Sequence, residues 1–431
     1  MSTPKRVLVT GLSTYWGGRL AESLEADENV EVIIGVDSVD PTRELERTEF
    51  VRVGTQHALL RRIVDAAEID TVVDARLVVD SATTAPRLAH ENNVIGTMNI
   101  LAACSGPEST VRKLVFKSSA HFYGTEQDDP AFFTEQMGRP HAPTTPIERD
   151  IVDAEAAVAE FAEQNPNTVV SVLRCTNVLG PDVRTSHRDL FSLPVVPMIL
   201  GFDPRYQFVH EDDVVGALHH AVKEDVPGIY NVAADGVLAL SEVAGLLGKT
   251  YVPLLPPWGT GLAAALARRI GMPVPPEMLS QLRFGRGLDN RKLKATGFQY
   301  RYTTREAVIR LREHMRLDPI LRGVKEPYQY EREVEDFLRW SPNVRRSATD
   351  EATGHRPQAT GPAPVRVPEP AGPPVEHYDD LEAEEVISLL GSLEAGDLGA
   401  LRDYEAAGKG RDSVVAAIDA VLARRAAASR P

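Results

Sequence analysis

The chain has 431 residues, a formal net charge of -15, a hydrophobic fraction of 43% and two cysteines. That length allows two or three folded units, and that composition supports a sizeable core. The acidic balance argues against nucleic acid or an anionic membrane as a general partner, because non-specific binding to either rests on cationic side chains.

The first predicted strand, residues 7–10, runs into Gly11-Leu12-Ser13-Thr14-Tyr15-Trp16-Gly17-Gly18 and a predicted helix over 17–26. No apolar leader region precedes it, so a cytoplasmic protein is the expectation. A strand, a glycine turn and a helix in this order begin a dinucleotide pocket. Gly11 permits the sharp turn, Gly17 permits close helix packing, and the helix N-terminus offers free N–H groups to a pyrophosphate. The second strand, 30–37, closes on Asp37, twenty residues past Gly17. A carboxylate there accepts hydrogen bonds from the adenosine ribose of NAD and repels the 2′-phosphate of NADP. Thr14 stands where the pattern has its middle glycine.

Further strands are predicted at 50–53, 71–74, 113–118 and 169–174, alternating with helices over 58–67, 82–104 and 150–164. Such alternation is the pattern of an α/β, Rossmann-type doubly wound parallel sheet, here an NAD-binding domain over residues 1–180. Cys104 and Cys175 fall inside apolar segments, which suits buried thiols in a reducing compartment, and no metal-ligand spacing is present. From residue 181 to 330 the pattern is looser and richer in proline, with helices near 212–223, 241–247, 261–271, 276–281 and 304–315. This reads as a smaller substrate-binding lobe, interleaved with the last sheet strands. Residues 331–377 are proline-rich and poor in large apolar side chains, the composition of a disordered linker. Residues 378–425 carry three short helical patterns, 381–393, 395–407 and 411–425, a helical module small enough to call for a protein partner. No run reaches the length of a transmembrane segment.

Five later segments add to the opening motif: Asn93-Val94-Ile95-Gly96-Thr97, Val115-Phe116-Lys117-Ser118-Ser119-Ala120-His121-Phe122-Tyr123-Gly124, Leu173 to Pro181, Phe208 to Val214, and Gly228 to Ala233. In this order they resemble landmarks of the extended short-chain dehydrogenase/reductase family, in particular its NAD-dependent nucleotide-sugar epimerases and dehydratases, across residues 5–330. The resemblance implies NAD as cofactor and a nucleotide-sugar or related small molecule as ligand, and leaves a homodimer open. It also implies catalysis by a Tyr-x-x-x-Lys pair on one helix face, with the lysine lowering the tyrosine pKa. Pro146 and Glu155 match that helix, which leaves Ile147 in the tyrosine position and Ile151 in the lysine position.

Carried over by residue, the cofactor positions are Gly11, Thr14, Gly17, Asp37 and Arg76. Arg76 stands where relatives have a small residue against the pyrophosphate, and Gly54 where they have an adenine-side aspartate. Ser119 matches a serine that bonds the substrate hydroxyl. His121 and Tyr123, on the same segment, are the candidate stand-in proton carriers. Asn177, Arg205 and Arg286 are candidates for the substrate phosphates, with Arg283 a further cation. Two readings follow: an NAD-dependent epimerase/dehydratase using other groups, or a catalytically inactive nucleotide or nucleotide-sugar binding scaffold whose helical module recruits a protein partner.

Overall fold

The computed structural model describes residues 4–317 except 55, 82–83 and 256–274, together with residues 386, 398, 401–402, 405 and 411–428. The chain divides into two compact units, Met1–Arg339 and Trp340–Pro431. The predicted helix 261–271, the linker 331–377 and most of the helical patterns 381–393 and 395–407 lie outside the described residues.

The first unit opens with β1 (Lys5–Thr10), α1 (Tyr15–Glu25), β2 (Val30–Asp37), β3 (Thr48–Arg52), α2 (His57–Ala66), β4 (Thr71–Asp74), α3 (Pro86–His90), α4 (Thr97–Cys104) and β5 (Lys113–Ser119). It continues through β6 (Phe132–Phe133), α5 (Pro146–Gln164), β7 (Val169–Cys175), β8 (Asn177–Leu179), α6 (Ser186–Ser192), β9 (Val195–Ile199), β10 (Arg205–Tyr206), β11 (Phe208–His210), α7 (Glu211–Lys223) and β12 (Gly228–Val232). Then come β13 (Leu238–Ala239), α8 (Leu240–Leu246), β14 (Thr250–Leu255), a helix over Pro276–Phe284, β15 (Gly285–Leu288) and helices over Arg291–Ala295 and Thr304–Leu317.

Seven strands form one parallel sheet in the order β12-β7-β5-β4-β1-β2-β3. The order reverses between β1 and β4, the crevice where open α/β sheets take their ligands. Helices cover both faces, which is why the strands read as nearly unbroken apolar runs. Leu20 and Leu24 of α1 pack with Val214, Leu218 and Ala221 of α7 on one face. Leu60, Ile100, Ile147, Ile151, Ala154 and Val158 of α2, α4 and α5 pack on the other. A second, four-stranded sheet, β13-β10-β15-β6, and the core around Phe191, Phe208 and Leu311 make up the smaller layer.

Three helices depart from the predicted bounds for identifiable reasons. Thr14 is the N-cap of α1, its hydroxyl accepting from Gly17 N (3.2 Å) and donating to Gly11 O (2.6 Å), so the helix starts at Tyr15 rather than Gly17. Thr145 caps α5 by accepting from Glu148 N, and Pro146 fits the first turn, so that helix starts at Pro146 rather than Asp150. The single helix predicted over 82–104 is instead α3, a π turn over Glu91–Gly96 and α4. In that turn Asn93 bonds both the amide and the carbonyl of Val78 (2.8 and 2.7 Å), and Asn92 donates to Arg76 O (2.8 Å). A wider turn of this kind re-aims side chains without ending the helix.

In the second unit, Val414 and Ile418 of the helix Asp412–Ala428 bury against Val386, Leu398 and Leu401, with Arg411 paired to buried Glu405 at 2.9 Å. Among the described residues, no helix is long and apolar enough to cross a membrane, and no group of histidine, cysteine, aspartate and glutamate side chains could hold a metal ion.

Candidate functional site

The glycine turn is built to the tolerance of single atoms. Gly11 sits at φ +77°, and a Cβ on Gly17 would lie 2.1 Å from the Gly11 carbonyl oxygen. At the end of β2, Asp37 accepts from Ser13 N (2.9 Å), Ser13 Oγ (2.6 Å) and Ser38 N (2.7 Å). A cavity of about 90 Å³ opens there, lined by Asp37, Ser38, Val53, Gly54, Leu60 and Arg76 among others. Gly54 has nothing within 4 Å of where its Cβ would stand, so this end of the crevice has room. Its glycine turn, terminal carboxylate and apolar wall fit the adenosine portion of a dinucleotide.

Arg76 crosses the middle of the crevice. Its Cγ lies 2.4 Å from where a Gly11 Cβ would be, and its guanidinium reaches within 2.5 Å of the same point on Gly96. The guanidinium is paired with Asp74 at 3.1 Å, and Asp74 is buried under the hydroxyls of Thr10 (2.9 Å) and Thr97 (3.3 Å). Arg76 therefore lies along the turn, tied to the sheet end, where it faces the first cavity.

A second cavity, about 120 Å³, lies at the ends of β5 and β7 beneath the helix Pro276–Phe284. It brings Ser119, His121 and Asn177 together. Ser119 Oγ is 2.9 Å from His121 Nδ1, and the Gln281 side-chain amide donates to His121 Nε2 at 3.0 Å. With Nε2 accepting, Nδ1 carries the proton and donates to Ser119. Burial, reinforced by the charge of Arg286, holds His121 neutral, with its pKa well below the usual imidazole range. His187 shares the cavity and is pushed down to about 4 by burial.

Tyr123, Arg205 and Arg286 line neither of these two cavities. Tyr123 is fully buried, stacked on Phe133 with centroids 4.7 Å apart, and its hydroxyl donates to Asn231 Oδ1 at 2.8 Å. Burial raises its pKa. Arg205 is exposed on β10. Arg286 is buried on β15 and donates to Gly124 O at 2.7 Å, while its Nε and Nη2 have no partner. Ile147 and Ile151 are buried in the apolar cluster between α5 and the sheet.

The cavity also contains residues that the sequence reading passed over: Lys117, His187, Glu277 and Gln281. Only Lys117 had an available signal. It lies two positions before Ser119 on β5, and period-two alternation places both on one face.

Residues 7–233 match the model of the NAD dependent epimerase/dehydratase family. The chain belongs to this family. An uncharacterized protein of Mycobacterium tuberculosis is 33% identical over 315 residues, covering 70% of this chain and 82% of that protein. Human dTDP-D-glucose 4,6-dehydratase is 26% identical over 267 residues, covering 56% of this chain and 72% of that enzyme. Among solved structures, the UDP-glucose 4-epimerase of Thermotoga maritima with UDP-glucose superposes with a TM-score of 0.55 at 20% identity, over 72% of this chain and 98% of that one. The UDP-glucuronic acid 4-epimerase of Bacillus cereus in complex with NAD gives a TM-score of 0.55 at 15% identity over the same shares. At these identities the structural likeness concerns the fold of this epimerase/dehydratase family member.

Proposed function

We propose that this family member binds NAD in the crevice of the parallel sheet, with a nucleotide-sugar or related small molecule beside it, and acts as a binding protein rather than a catalyst. Asp37 would hold the adenosine ribose, and the turn from Gly11 to Gly17, with Thr14 and Arg76, the pyrophosphate. When bound, NAD supplies a hydride acceptor. What this chain lacks is a proton carrier of the family type: Ile147 and Ile151, aligned by the resemblance with the tyrosine and lysine, are buried in apolar surroundings. That observation carries the reading. A competing reading, residual redox chemistry through the Ser119–His121 pair, draws support from the 2.9 Å contact on the cavity wall. It must contend with an imidazole held neutral and hydrogen-bonded at both nitrogens.

The test is a calorimetric titration of the purified protein with NAD, paired with turnover assays on UDP-glucose and dTDP-glucose. The expected result is NAD binding, weakened about tenfold or more by Asp37→Ala, with no sugar turnover. Turnover abolished by Ser119→Ala or His121→Gln would overturn the inactive reading, and absence of NAD binding would overturn the cofactor assignment. The homodimer and the protein partner of residues 378–425 stand as further proposals.

A further inference from the structure

Lys117 is a cation where cations are costly. It is 2% exposed, yet it lines the second cavity beside Ser119. Among the described residues no carboxylate lies within ion-pairing distance of its ammonium, and no hydrogen bond to it is present. The contact it makes is with the face of Trp16, whose ring centroid lies 4.8 Å away. A cation–π contact offsets part of the desolvation of an ammonium group and leaves its three donors unused. Burial accordingly lowers the pKa of Lys117.

The rest of the lining shows a complementary deficit. Glu277 Oε1 is buried without a hydrogen-bond partner, and the side chains of Glu277, His187 and Gln281 all line the same cavity. Buried polar groups are ordinarily satisfied, so the Lys117 ammonium and Glu277 Oε1, both without a hydrogen-bond partner at one cavity, call for a bound molecule. An ammonium with unused donors asks for an anion; the Glu277 carboxyl oxygen, an acceptor, asks for a hydroxyl donor. At about 120 Å³ the space is near that of an engineered cavity of roughly 150 Å³ that holds benzene, so the recognised group is of comparable size.

We infer that this cavity binds a small hydroxylated anion, a carboxylate or phosphate carrying neighbouring hydroxyls, anchored by Lys117 and oriented by His187, Glu277 and Gln281. The inference rests on the proposed use of this cavity as the small-molecule site, but not on NAD binding at the other.

The test uses the full chain, with and without NAD, titrated with D-glycerate, glycerol 3-phosphate and glycerol while thermal unfolding and binding heat are followed. The wild type is expected to be stabilised by an anion and at least tenfold less sensitive to glycerol, which keeps the hydroxyls and lacks the charge. The two anions separate a carboxylate site from a phosphate site. Lys117→Met, similar in length and uncharged, is expected to raise the melting temperature of the ligand-free protein, because it removes an unpaired buried charge, and to abolish the anion response. Lys117→Arg is expected to retain part of that response. Equal responses to glycerate and glycerol, no response to either anion, or an unchanged anion response in Lys117→Met would each overturn the inference. A Lys117-dependent anion response without NAD binding would sustain it while sinking the cofactor proposal.

Discussion

Gly17 leaves no space for a methyl group, since its Cβ would meet backbone rather than a flexible side chain. Gly17→Ala is therefore expected to cost about 2–3 kcal/mol, whereas Gly54→Ala, with open space around it, should stay within about 0.5 kcal/mol; urea unfolding of both variants checks the contrast. His187 gives a pH signature. Its folded pKa of about 4 lies below the unfolded value of 6.5, so between these values the unfolded chain binds the extra proton and stability falls as pH falls. The loss begins near pH 6.5, is complete below about pH 4, and amounts to about 3 kcal/mol. Denaturation of the wild type and His187→Gln from pH 7 to 4 should show the wild type losing more stability by roughly that amount. Ser119, His121 and Asn177 were legible in the sequence as one site because each falls in a short motif. His187, Glu277 and Gln281 were not, because they reach the cavity from elements far along the chain and their neighbours carry no recognisable spacing. Lys117 was missed because a lysine near a strand end ordinarily faces solvent.

At the scale of elements, α5 is held to the sheet by its apolar face and by one buried ion pair. Glu155 receives Arg174 at 2.6 Å and the hydroxyl of Ser118, while the Arg174 guanidinium lies 3.5 Å from the centre of the Phe122 ring. Removing one partner strands the other charge in the core, so Glu155→Ala is expected to cost about 3–5 kcal/mol, measurable by chemical denaturation. Glu155→Gln, which keeps the shape and an acceptor, should cost less. The strands of the main sheet were readable because burial on both faces leaves continuous apolar runs. Periodicity alone puts the start of α5 at residue 150, while the resemblance already puts Pro146 in the helix; the local signal is cap chemistry at Thr145 and Pro146. The π turn was hidden for a different reason: the groups that Asn92 and Asn93 satisfy lie in the loop at Arg76 and Val78.

At the scale of the whole molecule, the helical run from α3 to α4 leaves Leu88 and Met98 59% and 52% exposed, with Ile95 also exposed between them. The π turn in the same run has a genetic consequence. A π turn is a helix carrying one surplus residue. Losing the Asn92 codon would let α3 and α4 join as ordinary helix while keeping the facing of α4, so the protein should still fold. The loop at Arg76 would lose the Asn92 bond to its carbonyl, and NAD titration of that deletion variant should show weakened binding with little change in melting temperature. One codon thus separates what the fold needs from what the crevice needs.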